Sequence, residues 1–256
     1  MPFSDYRTVL ITGASSGIGA ALVERLCSEG LEVHALARSE EALHELAKRT
    51  GCIARVLDVR DRAGLAQLAG EVEFDILVNN AGVDRPKPFL KADAEDIDLL
   101  VDVNLRAVLH LCRLLVPGMV TRDRGHIVNI SSIAGAYNFA GNSSYHATKA
   151  AISMLSRQLR IDAFGRHVRV TEICPGRVAT DIFAHVHGSS RETYERFLQG
   201  YELPEAKDIA DAVAFAIAAP LAVNIGHMEI TPTLQVPGGL STARASDFVR
   251  NDDERV

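Results

Sequence analysis

The sequence predicts a doubly wound α/β fold, a parallel sheet of about seven strands with helices on both faces. Three observations carry this reading. Apolar, β-rich runs alternate with amphipathic segments along almost the whole chain. The early runs are continuously apolar, as strands covered on both faces are. No linker, low-complexity tract or internal repeat divides the 256 residues, so a single domain is expected over 1–236.

The elements follow in order. "TVLI" (8–11) is the first strand, and the helix pattern 17–29 after it is closed by Gly30. "EVHAL" (32–36) leads to a helix over 39–49. Ser39 caps it, Glu40 and Glu41 suit the positive end of its dipole, and Gly51 ends it. "CIARVL" (52–57) and "DILV" (75–78) are the next strands. A long helical pattern over 94–116 is expected to stop at Pro117, which cannot continue the hydrogen-bond ladder. "HIVNI" (126–130) precedes a second long helix, 143–164, which ends before Gly165. "VRVTEI" (168–173) and "HMEIT" (227–231) complete the strands. The polar stretch 237–256 is a tail, either a flexible end or a segment that orders against a neighbouring subunit.

Composition narrows the function. Hydrophobic residues make up 47% of the chain, enough for a sizeable core. No apolar run reaches the roughly 18 residues of a membrane span, and the N-terminus lacks the basic and apolar regions of a secretory signal. Cys27, Cys52, Cys112 and Cys174 lie far apart with no metal-type spacing, so reduced thiols in a cytoplasmic protein and no metal are expected. The net charge of −6, with scattered basic residues, argues against nucleic acid as a partner. A small molecule remains.

The first strand runs into "TGASSGIG" (12–19) and then a helix. Glycines at 13, 17 and 19 permit a tight turn and close backbone approach, and a helix N-terminus offers free N–H groups to a pyrophosphate. Gly13, Ser15, Ser16, Gly17 and Gly19 are therefore candidate dinucleotide contacts. An NAD site places a carboxylate about 20 residues further on, to hold the ribose 2′-hydroxyl. Here Ala37 takes that place and Arg38 follows, which suits a 2′-phosphate and favours NADP, with NAD bound more weakly. Asp58, at the end of the third strand, is either an adenine acceptor or a cap or turn residue. "NNAG" (79–82), with Asn80, Ala81 and Gly82, is either a turn stitched by side chains or part of the cofactor's ribose wall.

"YHATK" places Tyr145 and Lys149 four apart, on one face of a helix. A free tyrosine, with a pKa of about 10, is ionised only about one part in a thousand at neutral pH, and a nearby ammonium favours its phenolate. The adjacent His146 faces elsewhere on the helix, and packing or exposure is its expected role. Asn104, a poor helix former inside "LVDVNLRAVLHL", serves either a water relay or a bond to a backbone carbonyl of a neighbouring element.

Taken together, "TGASSGIG", "NNAG", Asn104, Ser132, "YHATK" and "PG" at 175–176 resemble the short-chain dehydrogenase/reductase family over roughly residues 7–235. The resemblance implies a Rossmann-type oxidoreductase. In it Tyr145 is the acid/base, and Lys149 lowers the tyrosine's pKa and holds the nicotinamide ribose. Ser132 orients the substrate oxygen, and Asn104 supports a water relay to the lysine. It also implies cofactor contacts from Ile18, Val59, Pro175, Gly176, the Val178 backbone and Thr180. "PGMV", "RVTEICPG" and "VNIGHMEITPTLQ" look most like the branch that oxidises short 3-hydroxy acids, serine included, with NADP. Relatives commonly pair through the two long helices, so a homodimer or homotetramer is expected.

The substrate pocket should be lined by 83–90, 133–142 and 181–203. These hold Arg85, Tyr137, Asn138, Asn142, Arg177 and Arg191, and one of the arginines would clamp an anionic group. Segment 182–203 is a candidate lid. The competing readings are a reductase of a bulkier apolar secondary alcohol or ketone, and a nucleotide-binding regulator without turnover.

Overall fold

A computed structural model describes residue 3 and residues 5–180 and 199–244. Seven strands form one sheet: β1 (Thr8–Thr12), β2 (Glu32–Ala37), β3 (Ile53–Val56), β4 (Ile76–Asn79), β5 (Gly125–Ile130), β6 (Val168–Pro175) and β7 (His227–Ile230). Their spatial order is β3-β2-β1-β4-β5-β6-β7. Every neighbouring pair is parallel. The expected doubly wound sheet is thus the observed one.

Alternation along the strands divides the core. Val9 and Ile11 of β1 face a layer built by α1 (Gly17–Ser28), α2 (Glu40–Thr50) and α7 (Ala206–Ala218), where Leu22, Leu26, Leu43, Val213 and Ile217 are buried. Leu10 points the other way. There it meets α3 (Arg62–Glu71), α5 (Ala107–Thr121) and α6 (Ser143–Asp162) through Leu65, Leu111, Leu115, Ile152 and Leu159.

Some boundaries differ from expectation for physical reasons. Pro117 does not stop its helix. The chain runs through α4 (Ala94–Val101), a π-helical turn at Asp102–Arg106 and α5 as far as Thr121. Pro117 lies on the exposed side, while the apolar stripe of Leu111, Cys112 and Leu115 continues to the fully buried Met119. Burial of that stripe outweighs one lost ladder bond. Ser39 occupies the N-cap of α2 but makes no side-chain cap bond, and Gly51 ends the helix at φ 76° as expected. β3 is not covered on both faces. It is the sheet edge, and Ile53 and Val56 are exposed.

Two helices that pattern reading does not single out are α3 and α7. Asp61 caps α3 by accepting from the Ala63 and Gly64 amides, and Glu205 with Asp208 forms a reciprocal capping box on α7. The far end of α7 is held by a buried arginine on β6. Arg169 donates to the carbonyls of Ile217 (2.7 Å) and Ala219 (2.8 Å) and to the Tyr6 hydroxyl (3.0 Å). A cation at the negative end of the helix dipole satisfies those last carbonyls. All four cysteines are free. No helix among the described residues is long and apolar enough to cross a membrane.

Of the tail, residues 237–244 are described. They turn back on the chain before them, with Val236 N–H donating to Ser241 O (2.8 Å) and Ala243 N–H to Leu234 O (3.0 Å).

Candidate active site

The winding of the sheet reverses between β1 and β4, and open sheets of this kind bind ligands outside the carboxyl ends of their strands at that reversal. The "TGASSGIG" turn and "NNAG" meet there. Thr12 is the join. Its hydroxyl accepts from the Asn80 (3.1 Å) and Ala81 (3.0 Å) amides, while the Asn80 side chain donates to the carbonyls of Thr12 (3.0 Å) and Gly13 (3.1 Å). Asn80 is therefore a stitch between two turns. Asn79 is spent elsewhere, donating to Asn129 Oδ1 (2.8 Å) in the core.

Glycine is obligatory at this crossing. A Cβ on Gly13, whose φ is +64°, would lie 2.7 Å from Ala81 Cα, and one on Gly19 would lie 2.1 Å from the Gly13 carbonyl oxygen. Ser16, the N-cap of α1, makes no side-chain cap bond. No side-chain cap competes for the first amides of α1, and the cradle fits a pyrophosphate.

Arg38 is exposed at the carboxyl end of β2. Asp58 is a turn residue here, accepting from the Arg60 amide (2.9 Å) and pairing with the Arg60 guanidinium (2.7 Å). Arg60, and more remotely Arg38, hold its carboxyl below the ordinary range against partial burial. The two expected contacts for the adenosine end are thus near neighbours. Arg60 is a further cation there that the sequence reading passed over.

On the other side of the crevice α6 presents Tyr145 and the buried Lys149. The Lys149 ammonium lies 5.5 Å from the Tyr145 ring centroid and donates to the Ile130 carbonyl (3.0 Å). Burial draws the Lys149 pKa down to about 8, opposed by the charges of Cys174 and Asp84. Burial also pushes the Tyr145 phenol well above its ordinary value. Asp84 adds to the rise and a Ser132 hydrogen bond opposes it. The Lys149 ammonium is itself turned to a backbone carbonyl.

Ser132 is half-buried at the end of β5, with extended backbone, and its Oγ accepts from the Ala134 amide (3.1 Å). The turn that carries it lies hard against α6 at Gly135, where a Cβ would come 2.7 Å from Ser153 Oγ and 2.9 Å from the Lys149 carbonyl. Asn104 sits in the π turn and is fully buried. Its amide clamps Val83, accepting from the amide (2.8 Å) and donating to the carbonyl (2.9 Å). The backbone-bonding alternative is thus the one its side chain adopts. π turns recur at functional sites because they displace a side chain without ending the helix. His146 packs edge-on against Phe139 and bonds the Asn142 carbonyl, in keeping with a packing residue.

Pro175 closes β6, and Gly176, Val178 and Thr180 lead on from it to the same crevice. Thr180 lies beside Gly17, and Gly176 is pressed against Gln235 and Thr231. Gln235 is a positioning residue that the sequence did not flag. It accepts from the Arg177 amide (3.1 Å) and donates to the Gly239 carbonyl (2.7 Å). Among the proposed pocket residues, Arg85 pairs with Asp96 (3.5 Å) and Asn142 donates to Asp84 (2.6 Å). Tyr137 bonds Glu229, which raises its pKa. Asn138 is exposed. Arg177 lies over the Tyr201 ring (4.8 Å), with Arg244 on the same ring (5.5 Å). Arg191 and most of the candidate lid lie outside the described residues.

A sheet of this order with a glycine turn at its reversal is a dinucleotide-binding fold. The chain belongs to the short-chain dehydrogenase family, whose pattern matches residues 7–190, and it is an oxidoreductase of that family. A short-chain type dehydrogenase/reductase of Sinorhizobium fredii, y4eK, is 37% identical over 250 residues, covering 96% of this chain and 99% of its own. The NADP-dependent 3-hydroxy acid dehydrogenase YdfG of Escherichia coli is 38% identical over 250 residues, covering 92% and 99%. Among solved structures, the closed form of a serine dehydrogenase complexed with NADP+ superposes with a TM-score of 0.87 at 36% identity, covering 93% of this chain and 99% of that one.

Proposed function

We propose that this chain moves a hydride between NADP(H) and the hydroxyl or carbonyl carbon of a short, polar, anionic 3-hydroxy compound. The observation that carries the reading is the grouping of Ser132, Tyr145 and Lys149 beside Gly82, at the same carboxyl edge of the sheet as the glycine cradle and Arg38. The named activities of the relatives, a 3-hydroxy acid dehydrogenase and a serine dehydrogenase, support the substrate class.

NADP(H), when bound, supplies or accepts the hydride. The amides of the 13–19 turn would hold its pyrophosphate and Arg38 its 2′-phosphate. Asp58, Val59, Asn80, Ala81 and Gly82 would line the adenosine and ribose side, and Pro175, Gly176, Val178 and Thr180 the far end. Tyr145 gives a proton to the substrate oxygen in reduction and takes one in oxidation, while Ser132 donates a second hydrogen bond to that oxygen. With a pKa near 8, Lys149 remains a cation at neutral pH. Its charge offsets the cost of forming a phenolate in a buried site. Asn104 holds Val83, and with it the turn beyond "NNAG", against α6; a water relay to Lys149 fits that place. One of Arg85, Arg177 and Arg191 would meet a substrate carboxylate.

One experiment tests both cofactor and substrate. Initial rates with NADPH and NADH would be taken across short 3-oxo acids, small aldehydes and bulky apolar ketones, for the wild type and Arg38→Ala. Small anionic carbonyls should be reduced with NADPH, and Arg38→Ala should raise KM for NADPH by about 10-fold or more while leaving NADH nearly unchanged. Equal losses for both cofactors would remove the 2′-phosphate argument. Turnover confined to bulky ketones would overturn the substrate class, and binding without turnover would favour a regulator.

The second faces of the long helices support a homodimer or homotetramer. Leu109 on α5, Met154 and Ile161 on α6, and Phe164 just beyond are exposed. A stripe of this kind is covered when copies associate. Sedimentation equilibrium should give twice or four times the 27.7 kDa chain mass, and a monomer would sink the idea.

A further inference from the structure

Behind the acid/base helix lies a second cluster of reactive side chains. The parallel register of β6 and β7 sets Glu172 beside His227 and Cys174 beside Glu229. Residues two apart on a strand share a face, so Glu172 and Cys174 point to the same side. There one ligand atom each from Glu172, Cys174 and His227 lies within 4.8 Å of the others, the only such group of three found among the described residues.

Cys174 Sγ is 3.2 Å from Glu172 Oε1 and 3.7 Å from His227 Nδ1, and His227 Nδ1 is 3.2 Å from Glu172 Oε2. A tetrahedral zinc ion, with bonds of about 2.3 Å to sulfur and about 2.0 Å to nitrogen and oxygen, sets its ligands about 3.3–3.6 Å apart. The two short carboxylate contacts fall on different oxygens of Glu172, so closing the shell needs the carboxylate to turn until one oxygen faces both Sγ and Nδ1.

The surroundings support it. The Glu172 carboxylate is buried and is steadied by the Ser153 hydroxyl, which also bonds the Lys149 carbonyl (3.2 Å). Metal ligands are characteristically oriented by such outer hydrogen bonds. The His227 side chain is 47% exposed, which leaves an entry path and room for a water in the fourth position. A mixed sulfur, nitrogen and oxygen set selects zinc or a similar borderline cation over magnesium or calcium.

We propose that Glu172, Cys174 and His227 form a binding site for a zinc ion at the carboxyl end of β6, one serine away from the backbone of Lys149. Binding converts the Cys174 thiol to a thiolate. Its proton, donated here to Glu172 Oε1, leaves for solvent, so one proton is released per ion. The site does not depend on the substrate.

Cobalt(II), a spectroscopic stand-in for zinc, tests the site directly. The full chain carrying Cys27→Ser, which removes the more accessible thiol, should bind one cobalt ion. It should show a thiolate-to-cobalt charge-transfer band with d–d bands of tetrahedral intensity, and zinc should abolish both. Cys174→Ser should lose the charge-transfer band. His227→Ala removes a half-exposed ring without opening the core, and it should weaken binding by about 100-fold or more. Zinc should also raise the thermal midpoint of the Cys27→Ser protein but not of that protein with His227→Ala. Octahedral cobalt bands, a stoichiometry far from one, or equal zinc affinity in the His227→Ala protein would each overturn the proposal.

Discussion

Replacing Tyr145 with phenylalanine is expected to lower kcat by about 10²- to 10⁴-fold while leaving the dissociation constant for NADPH within a few-fold of the wild-type value. The substitution removes one oxygen and keeps the ring, so the packing on α6 survives. Burial and Asp84 hold the phenol protonated through neutral pH, the form the proposed mechanism needs for carbonyl reduction. Oxidation is more demanding, since the phenolate must form in a place that disfavours it. Single-turnover rates in both directions, with NADPH affinity measured by fluorescence, would check this. A variant with near-normal rates would mean that another group delivers the proton.

Gly19→Ala should have an effect of similar size on a different quantity. The added Cβ would sit 2.1 Å from the Gly13 carbonyl oxygen and 2.6 Å from the Asn80 side-chain nitrogen Nδ2, and the first of these is backbone that cannot swing aside. The turn must open, at a cost of about 1–3 kcal/mol in stability. NADPH affinity should fall by about 100-fold or more, because the first amides of α1 lose their aim. Gly70→Ala is the control. Gly70 is helical and exposed with no atom within 4 Å of its missing Cβ, so alanine there should be neutral or stabilising by about 0.5–1 kcal/mol. Calorimetry and NADPH titration of both variants would settle the contrast. Undiminished affinity in Gly19→Ala would remove the cradle from the binding reading.

The parts of this molecule that were legible in its sequence are those encoded locally. Strand–helix alternation predicts the sheet, and glycines at 30 and 51 stop helices because the left-handed turn they permit is a property of one residue. The glycine turn and the tyrosine–lysine spacing are local in the same sense. What the sequence hides depends on distant partners. Pro117 reads as a stop only until Met119 is known to be buried. The phenol of Tyr145 reads as lowered by its neighbour on the helix, yet burial by the folded chain, and after it Asp84, far away in sequence, pushes it up. Asn104 left two readings open, and the Val83 backbone decided how its side chain is spent. Gly135 and Gln235 carry no motif, and their importance is visible only where α6 and the 231–239 segment come to rest.

The Thr12 hydroxyl, which receives both the Asn80 and Ala81 amides, acts as a gauge for the whole crevice. The half of the sheet that carries the cradle, β3-β2-β1, meets the half that leads to Ser132 and Tyr145 along a single seam between β1 and β4. A strand can slide along its neighbour by two residues, about 6.6 Å, and still keep its faces correct. Such a slip would leave every apolar side chain on its proper face while carrying the cradle out of reach of the tyrosine. Hydrophobic burial tolerates that error and a hydroxyl with two fixed donors does not. The distance over which this enzyme must work is therefore set by a few polar bonds at a seam, those of Thr12 and Asn80 among them, rather than by its core.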